Sequence, residues 1–418
     1  TLTPEVASRI ATVPTENLQA YDAYQQAKAI LARGNWGTSE EAEALFEEAV
    51  LLDPTFAEAY VSLAQVQVNH YWYFDRDEGD LRRARAALDR AFALEPDMPE
   101  GLIVLADYHY KGFREYDRAL KLLDEAIPRA PRVSLAIARR AIILRRSGRV
   151  EASISGLREA MELDPLSAVR HYTLGQTLNM VGRYEEARDS FDQSIALNSN
   201  DYTVHTARAY NLRAIDPAST AMQDLLNDPE YSYRQSRFWV IYRWRMALLE
   251  GDYEAAMDSI SKSGENLIDL NQAFYPIDLM SGLTEYLIGK RDTTGPLFES
   301  AKVILERALR QSPDDVRILD ALALTYAALG DAEQAKATAD AAVALSPIEL
   351  DSVGGPSHVL NRARVLAMLG EEDAALEDLQ TLMSIPLVWM IGPVVIRNDP
   401  TFSHLHERPE FRAMFRDR

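Results

Sequence analysis

Between Ala168 and Asn198 the apolar positions recur with the period of a helix, twice over. Residues Ala168 to Met180 carry His171, Leu174, Gly175 and Leu178 on one stripe at three- and four-residue spacing, which predicts one amphipathic helix. Gly182 follows, at a turn where a left-handed backbone is needed. The run Arg183 to Asn198 then predicts a second helix whose Tyr184, Ala187, Phe191 and Ile195 face back onto the first. Gly175 and Ala187 are small where two helices must approach closely, and their bulky neighbours fill the space around them. The small–large–small set of the second helix recurs as Ala42, Phe46, Ala49; Ala84, Leu88, Ala91; Ala119, Leu123, Ala126; Ala301, Leu305, Ala308; and Ala335, Ala339, Ala342. Turn glycines recur as Gly148, Gly182, Gly251, Gly330 and Gly370. Prolines close the units at Pro54, Pro96, Pro131, Pro165, Pro313 and Pro347, with 34 residues from Pro131 to Pro165 and again from Pro313 to Pro347. A fixed period of this length predicts stacked helix pairs.

The period lapses in places. From Pro54 to Pro96 the spacing is 42, with the extra residues around "NHYWYFDRDEGD"; such insertions are expected to project as loops. The pattern fades between Ala214 and Arg237, the unit around Gly251 lacks its closing proline, and residues 290–299 insert "KRDTTGPLFE". The expected segments are lead-in helices at 1–34, a regular array at 35–215, irregular helix pairs at 216–300, regular pairs at 301–385 and a closing segment at 386–418.

This pattern resembles the tetratricopeptide repeat, and the fold class expected is an all-α solenoid of antiparallel helix pairs. Two end segments resemble a narrower group: "PTENLQAYDAYQQAK" from Pro14 to Lys28, preceded by Leu2 to Ile10, and the closing Asp399, Pro400, Phe402, Leu405, Arg408, Pro409 and Phe411. They are similar to the C-terminal repeat regions of bacterial class III adenylate/guanylate cyclases and membrane-bound winged-helix regulators. The resemblance implies a sensory or scaffolding region whose catalytic or DNA-binding domain lies elsewhere. Because the chain starts at Thr1 with no methionine or signal-like stretch, it reads as a piece of a longer protein. Placement is periplasmic if a membrane helix precedes it and cytoplasmic otherwise.

Charge and composition narrow the reading. With 44 basic and 64 acidic residues the net charge is −20, which argues against general nucleic-acid or anionic-membrane binding. There is no cysteine, so disulfides and thiolate metal sites are excluded. No apolar run is long enough to span a membrane. Gly289-Lys290 lacks the spacing and hydroxyl of a phosphate-binding loop. "DRDEGD" at 75–80 resembles part of a calcium loop, but its glycine is one position early and Ala86 stands where a glutamate is needed. His404 and His406, two apart, fall on different helix faces. No catalytic, cofactor or metal residue is expected, and enzyme activity is not.

Partner contacts are expected on the first helix of each pair, which lines the concave face in this repeat type. The positions there are Gln65 and Asn69; Asp107 and Lys111; Ile142, Arg145 and Arg146; Tyr172, Gln176 and Asn179; and Thr206, Tyr210 and Arg213. The Lys–Asn set of a carboxylate clamp, which grips peptide C-termini in chaperone-binding repeat domains, is not among them, so capture of a chaperone tail is not expected. Seven arginines (129, 132, 139, 140, 145, 146 and 149) and no acidic residue lie between Arg129 and Arg149. They pair with nearby acidic helices or form an anion site through guanidinium contacts, with Arg139, Arg145 and Arg146 as candidates. The aromatics of "HYWYF" and Tyr231, Tyr233, Phe238, Trp239, Tyr242 and Trp244 are core or an exposed patch. The function expected is a non-catalytic module binding a protein or peptide in the groove, with homo-oligomerisation possible. The alternative is a sensor of a small or anionic ligand that regulates a separate domain.

Overall fold

The computed structural model describes residues 14–32, 39–74, 76–130, 133–229, 237–270, 273–290, 292 and 294–416. Leu2 to Ile10, Asp75, Pro131, Arg132, Tyr231, Tyr233 and the side chain of Phe238 lie outside what is described. The chain divides into two compact units, residues 1–144 with 155–164, and residues 145–154 with 165–418.

In the first unit the elements are α1 (Leu18–Ala32), α2 (Ser39–Leu52), α3 (Ala57–Tyr73), α4 (Glu78–Leu94), α5 (Pro99–Phe113) and α6 (Tyr116–Ala126). Helices α7 (Val133–Arg146) and α8 (Val150–Leu163) carry the division between the units. The second unit continues with α9 (Ala168–Met180), α10 (Tyr184–Leu197), α11 (Tyr202–Ile215), α12 (Ala221–Asn227), α13 (Arg237–Leu249) and α14 (Tyr253–Ser261). A hairpin follows, β1 (Leu267–Leu270) antiparallel to β2 (Ala273–Pro276), with Ile268 opposite Tyr275. Then come α15 (Ile277–Leu287), α16 (Gly295–Gln311), α17 (Val316–Leu329), α18 (Ala332–Leu345), α19 (Gly355–Met368) and α20 (Glu372–Met383). Short helices close the chain: a 3₁₀ turn at Trp389–Ile391, α21 (Pro393–Asn398), a second 3₁₀ stretch at Pro400–Glu407, and α22 (Pro409–Ala413).

The fold is an all-α solenoid of tetratricopeptide-type helix pairs, and its core is the one the spacing predicts. Ala42, Phe46, Ala49, Ala84, Leu88, Ala91, Ala119, Leu123 and Ala126 are wholly buried, as are Ala301, Leu305, Ala335 and Ala342. Ala308 is only half-buried. At Gly175 the approach of α10 is so close that an added Cβ would sit 2.6 Å from the Phe191 ring. The turn glycines all take the left-handed backbone, with φ between 72° and 81°. No glycine stands at the α5–α6 turn, and there Arg114 takes φ 55° in its place.

Two expectations need correction. The extra residues after Pro54 do not form a projecting loop; they lengthen α3 and α4 to 17 residues each. The acidic "DRDEGD" run serves the start of α4, where Asp77 caps the helix by accepting from the Gly79 N–H. The irregular middle is also not purely helical, since strands β1 and β2 pair at 267–270 and 273–276. Arg317 at the start of α17 fixes it, donating through Nη1 to Asp269 Oδ1 at 2.8 Å and to the Leu270 carbonyl at 2.7 Å.

Candidate functional site

Two faces collect the residues that sequence singles out, one in each unit. In the first unit, α3 and α5 present equivalent positions four residues apart, Gln65 and Asn69 on one and Asp107 and Lys111 on the other. One helical turn separates the members of each pair, so all four side chains point to the same side. Lys111 Nζ donates to Asn69 Oδ1 at 2.7 Å, and Gln65 Nε2 lies 3.2 Å from both Asn69 Oδ1 and Asp107 Oδ2. From α7, Arg139 brings its Nε to 3.4 Å from Asp107 Oδ2, the distance at which Lys111 Nζ also stands. The sequence reading found no lysine–asparagine set; the structure pairs Asn69 with Lys111 from adjacent helix pairs.

This cluster is largely withdrawn from water. Asp107 is fully buried and Lys111 nearly so. Burial pushes the Asp107 carboxyl up, but Arg139 and Lys111 outweigh it and hold the group below the usual carboxylate range. Burial pulls the Lys111 ammonium down to about 8, with Asp107 opposing. Asp107 holds the Arg139 guanidinium above its ordinary value against the effect of burial. At neutral pH all three are charged, two cations around one anion. Among the described residues Asp107 Oδ1 and Arg139 Nε have no hydrogen-bond partner although both atoms are buried. Tyr73, in the last turn of α3, lies under the lysine, with Nζ 6.0 Å from its ring centre. Sequence analysis grouped Tyr73 only with the aromatic run, because the lengthening of α3 that brings it here has no signal in the repeat period.

The arginine stripe divides among different partners. Arg129 pairs with Glu125 at 2.7 Å and Arg140 with Asp124 at 2.7 Å, on the surface of the first unit. In the second unit, Arg145 Nη1 is 3.3 Å from both Gln176 Oε1 and Thr177 Oγ1. Arg146 Nη1 donates to Asp351 Oδ2 at 2.6 Å, and the Ser352 N–H donates to the Arg146 carbonyl at 2.9 Å. The stripe therefore supplies one cation to the first cluster and two to bonds inside the second unit.

The second face is made by α9 and α11. Gln176 Nε2 donates to the Tyr172 hydroxyl at 2.7 Å, Asn179 is buried, and Tyr210 is buried on α11. Thr206 is fully buried with its hydroxyl donating to the Tyr202 carbonyl, and Arg213 donates to the Ser219 carbonyl at 2.7 Å. Over this face lies the stretch that follows α20. The Leu387 N–H donates to the Met180 carbonyl at 3.3 Å. The Trp389 ring centre is 4.9 Å from that of Tyr210 and 6.0 Å from that of Tyr242. Burial pushes the Tyr172 phenol well above its ordinary range, and Trp389 is among the groups that touch it. Sequence reasoning missed Trp389; its only signal was an apolar run, "IPLVWMIG", without helical period.

The aromatic segment of α13 is mixed. Trp244 is buried with its indole N–H on Thr284 Oγ1 at 2.9 Å, while Trp239 and Tyr242 are half-buried. Among the described residues no three acidic, histidine or cysteine side chains are grouped to hold a metal ion. No described helix is long and apolar enough to cross a membrane.

Comparison with known proteins bears on this architecture. Residues 75–134 and 316–349 each match the tetratricopeptide repeat family. Anaphase-promoting complex subunit 7 of human and of mouse is 26% identical over 178 residues, which is 42% of this chain and 30% of each relative. The match thus spans under a third of the relatives' length. Among solved structures, a thermophilic tetratricopeptide protein of Thermus thermophilus is 20% identical with a TM-score of 0.40, covering 46% of this chain and 98% of its own. Human IFIT1, solved as a dimer with m7Gppp-AAAA, is 18% identical with a TM-score of 0.48, covering 78% of this chain and 72% of its own. YrrB, described as having an unusual peptide-binding site, is 18% identical with a TM-score of 0.29, covering 49% of this chain and 98% of its own. At 75–134 and 316–349, then, the chain carries tetratricopeptide repeats, which are protein-interaction scaffolds.

Proposed function

We propose that this chain is a non-catalytic interaction module that binds a protein or peptide partner on the first-helix face of its first unit, the concave side in this repeat type. The observation that carries the reading is the Asp107–Lys111–Arg139 cluster. Desolvated charge is costly and is seldom concentrated without a use, and here the balance is one cation in excess within a chain of net charge −20. A carboxylate on the partner fits that excess, and Arg139 offers it guanidinium donors from the rim. Gln65 and Asn69 supply the amides that hold an extended backbone. A signalling setting is proposed only on the resemblance of the two end segments to cyclase and winged-helix-regulator repeat regions; the closing segment itself is a packed cap. Phe402, Leu405 and Phe411 are buried there, and Asp399 caps a 3₁₀ turn while pairing with Arg364.

A peptide array probed with the unaltered chain and with Arg139→Glu and Lys111→Met in parallel tests this. Peptides bearing a carboxylate should lose binding at least tenfold in both variants, and the loss should shrink in high salt. Equal binding by all three folded proteins rules the site out.

A further inference from the structure

The second face is already occupied, by the chain itself. From Ile385 onward α20 cannot continue, because Pro386 has no N–H to donate. The segment that follows crosses α9 and α11: Val388 is extended, at φ −65° and ψ 152°, and Trp389–Ile391 then form the 3₁₀ turn. Leu387, Val388, Trp389 and Ile391 are all buried. The residues beneath are those a recognition surface uses: Tyr172, Gln176, Asn179 and Tyr210.

Its attachment is mainly apolar, with few polar ties. One backbone hydrogen bond, at 3.3 Å, ties Leu387 to Met180. The Trp389 indole N–H is buried beside the Tyr172 phenol without completing a hydrogen bond of ordinary geometry, a cost that buried tryptophans normally avoid. Beyond the segment the chain is held by ion pairs, Arg364 to Asp399 at 2.7 Å and Arg408 to Glu372 and Asp373 at 2.9 and 2.7 Å. The strap can therefore leave its seat while both ends stay fixed.

We propose that Leu387–Gly392 is an internal ligand, seated on a face that accepts a short apolar segment with one aromatic side chain from a partner. The partner takes the seat by displacing the strap. A segment with phenylalanine in place of tryptophan escapes the poorly satisfied N–H and competes best. This site is separate from the cationic cluster and does not depend on it.

The test uses the full chain with residues 386–392 replaced by a Gly-Ser linker of equal length, and a labelled synthetic peptide of residues 384–393. Fluorescence anisotropy should show binding to the strapless chain at least tenfold tighter than to the unaltered chain, and Tyr210→Ala in the strapless chain should abolish it. Substituting phenylalanine for tryptophan in the peptide should tighten it. Peptide bound equally by both chains, or by neither while helical circular dichroism is retained, overturns the proposal. If the linker variant does not fold, Trp389→Ala in the full chain decides by the same comparison.

Discussion

Arg146 donates to Asp351 across 2.6 Å although 205 residues separate them in the chain. Repeat arrays ordinarily touch only their neighbours, so that stability is a sum of local terms. Here the end of α7 is bonded to the loop before α19, and Ser352 adds its hydroxyl to the carbonyls of Arg145 and Arg146 and its N–H to that of Arg146. Asp351 is buried and also accepts from the Val353 and Gly354 N–H groups, so removing the cation strips a desolvated carboxylate of its ion pair. Arg146→Ala should cost the second unit about 3–5 kcal/mol, measured by urea denaturation. The exchange Arg146→Asp with Asp351→Arg should recover part of it.

Gly175→Ala tests the close approach of α9 and α10. An alanine gains about 1 kcal/mol of helix propensity, but its Cβ meets the Phe191 ring at 2.6 Å. Overpacking of this kind costs about 1–3 kcal/mol, so the net effect should be destabilising. In a Phe191→Leu background the same change should cost less, and the difference between the two backgrounds measures the contact.

Arg317 gathers Asp315, Asp269 and the Leu270 carbonyl around one buried guanidinium. Arg317→Ala should destabilise by about 3–5 kcal/mol. Arg317→Lys should recover only a part, since an ammonium cannot serve the fork of acceptors. Thermal melting of the three proteins decides it, and equal melting points for wild type and Arg317→Lys would contradict the reading.

Lys111 sets an alkaline trend. Its folded value is about 8 against 10.5 for an ordinary lysine. Between those values the unfolded chain holds the extra proton, so stability rises with pH across that window. Burial pushes Tyr242 and Tyr326 up to about 12. Above their ordinary value of 10 the unfolded chain ionises first, so stability falls again. Urea midpoints should climb from about pH 8 towards about 10 and then drop. Lys111→Met should remove the climb and leave the drop.

The repeat was legible because each of its signals is local. Ala84, Leu88 and Ala91 report a helix contact through their own size, and Gly182 and Gly330 report a turn through their own backbone freedom. The lengthened α3 was not legible, since the residues Tyr71 to Tyr73 suit a helix end as well as a loop. The hairpin was hidden for a similar reason: Ile268 and Leu270 read as a short apolar run, and what makes them a strand is Arg317, 47 to 48 residues away. Of the candidate residues, sequence could name Asn69, Lys111, Tyr172 and Tyr210 from helix position alone. It could not say that Tyr172 and Tyr210 are covered, because Trp389 comes to them from beyond the last regular pair.

The extra turn of α3 gives the first unit something that a regular repeat lacks. A helix of 14 residues from Ala57, the length of α11 or α17, would stop at His70. Tyr73 would then be absent, and the Lys111 amine would meet water on the side where the ring now lies. The added turn serves the cationic cluster more than the repeat: its deletion would rehydrate the lysine and take Trp72 from Tyr110, yet leave Ala84, Leu88 and Ala91 in their contacts.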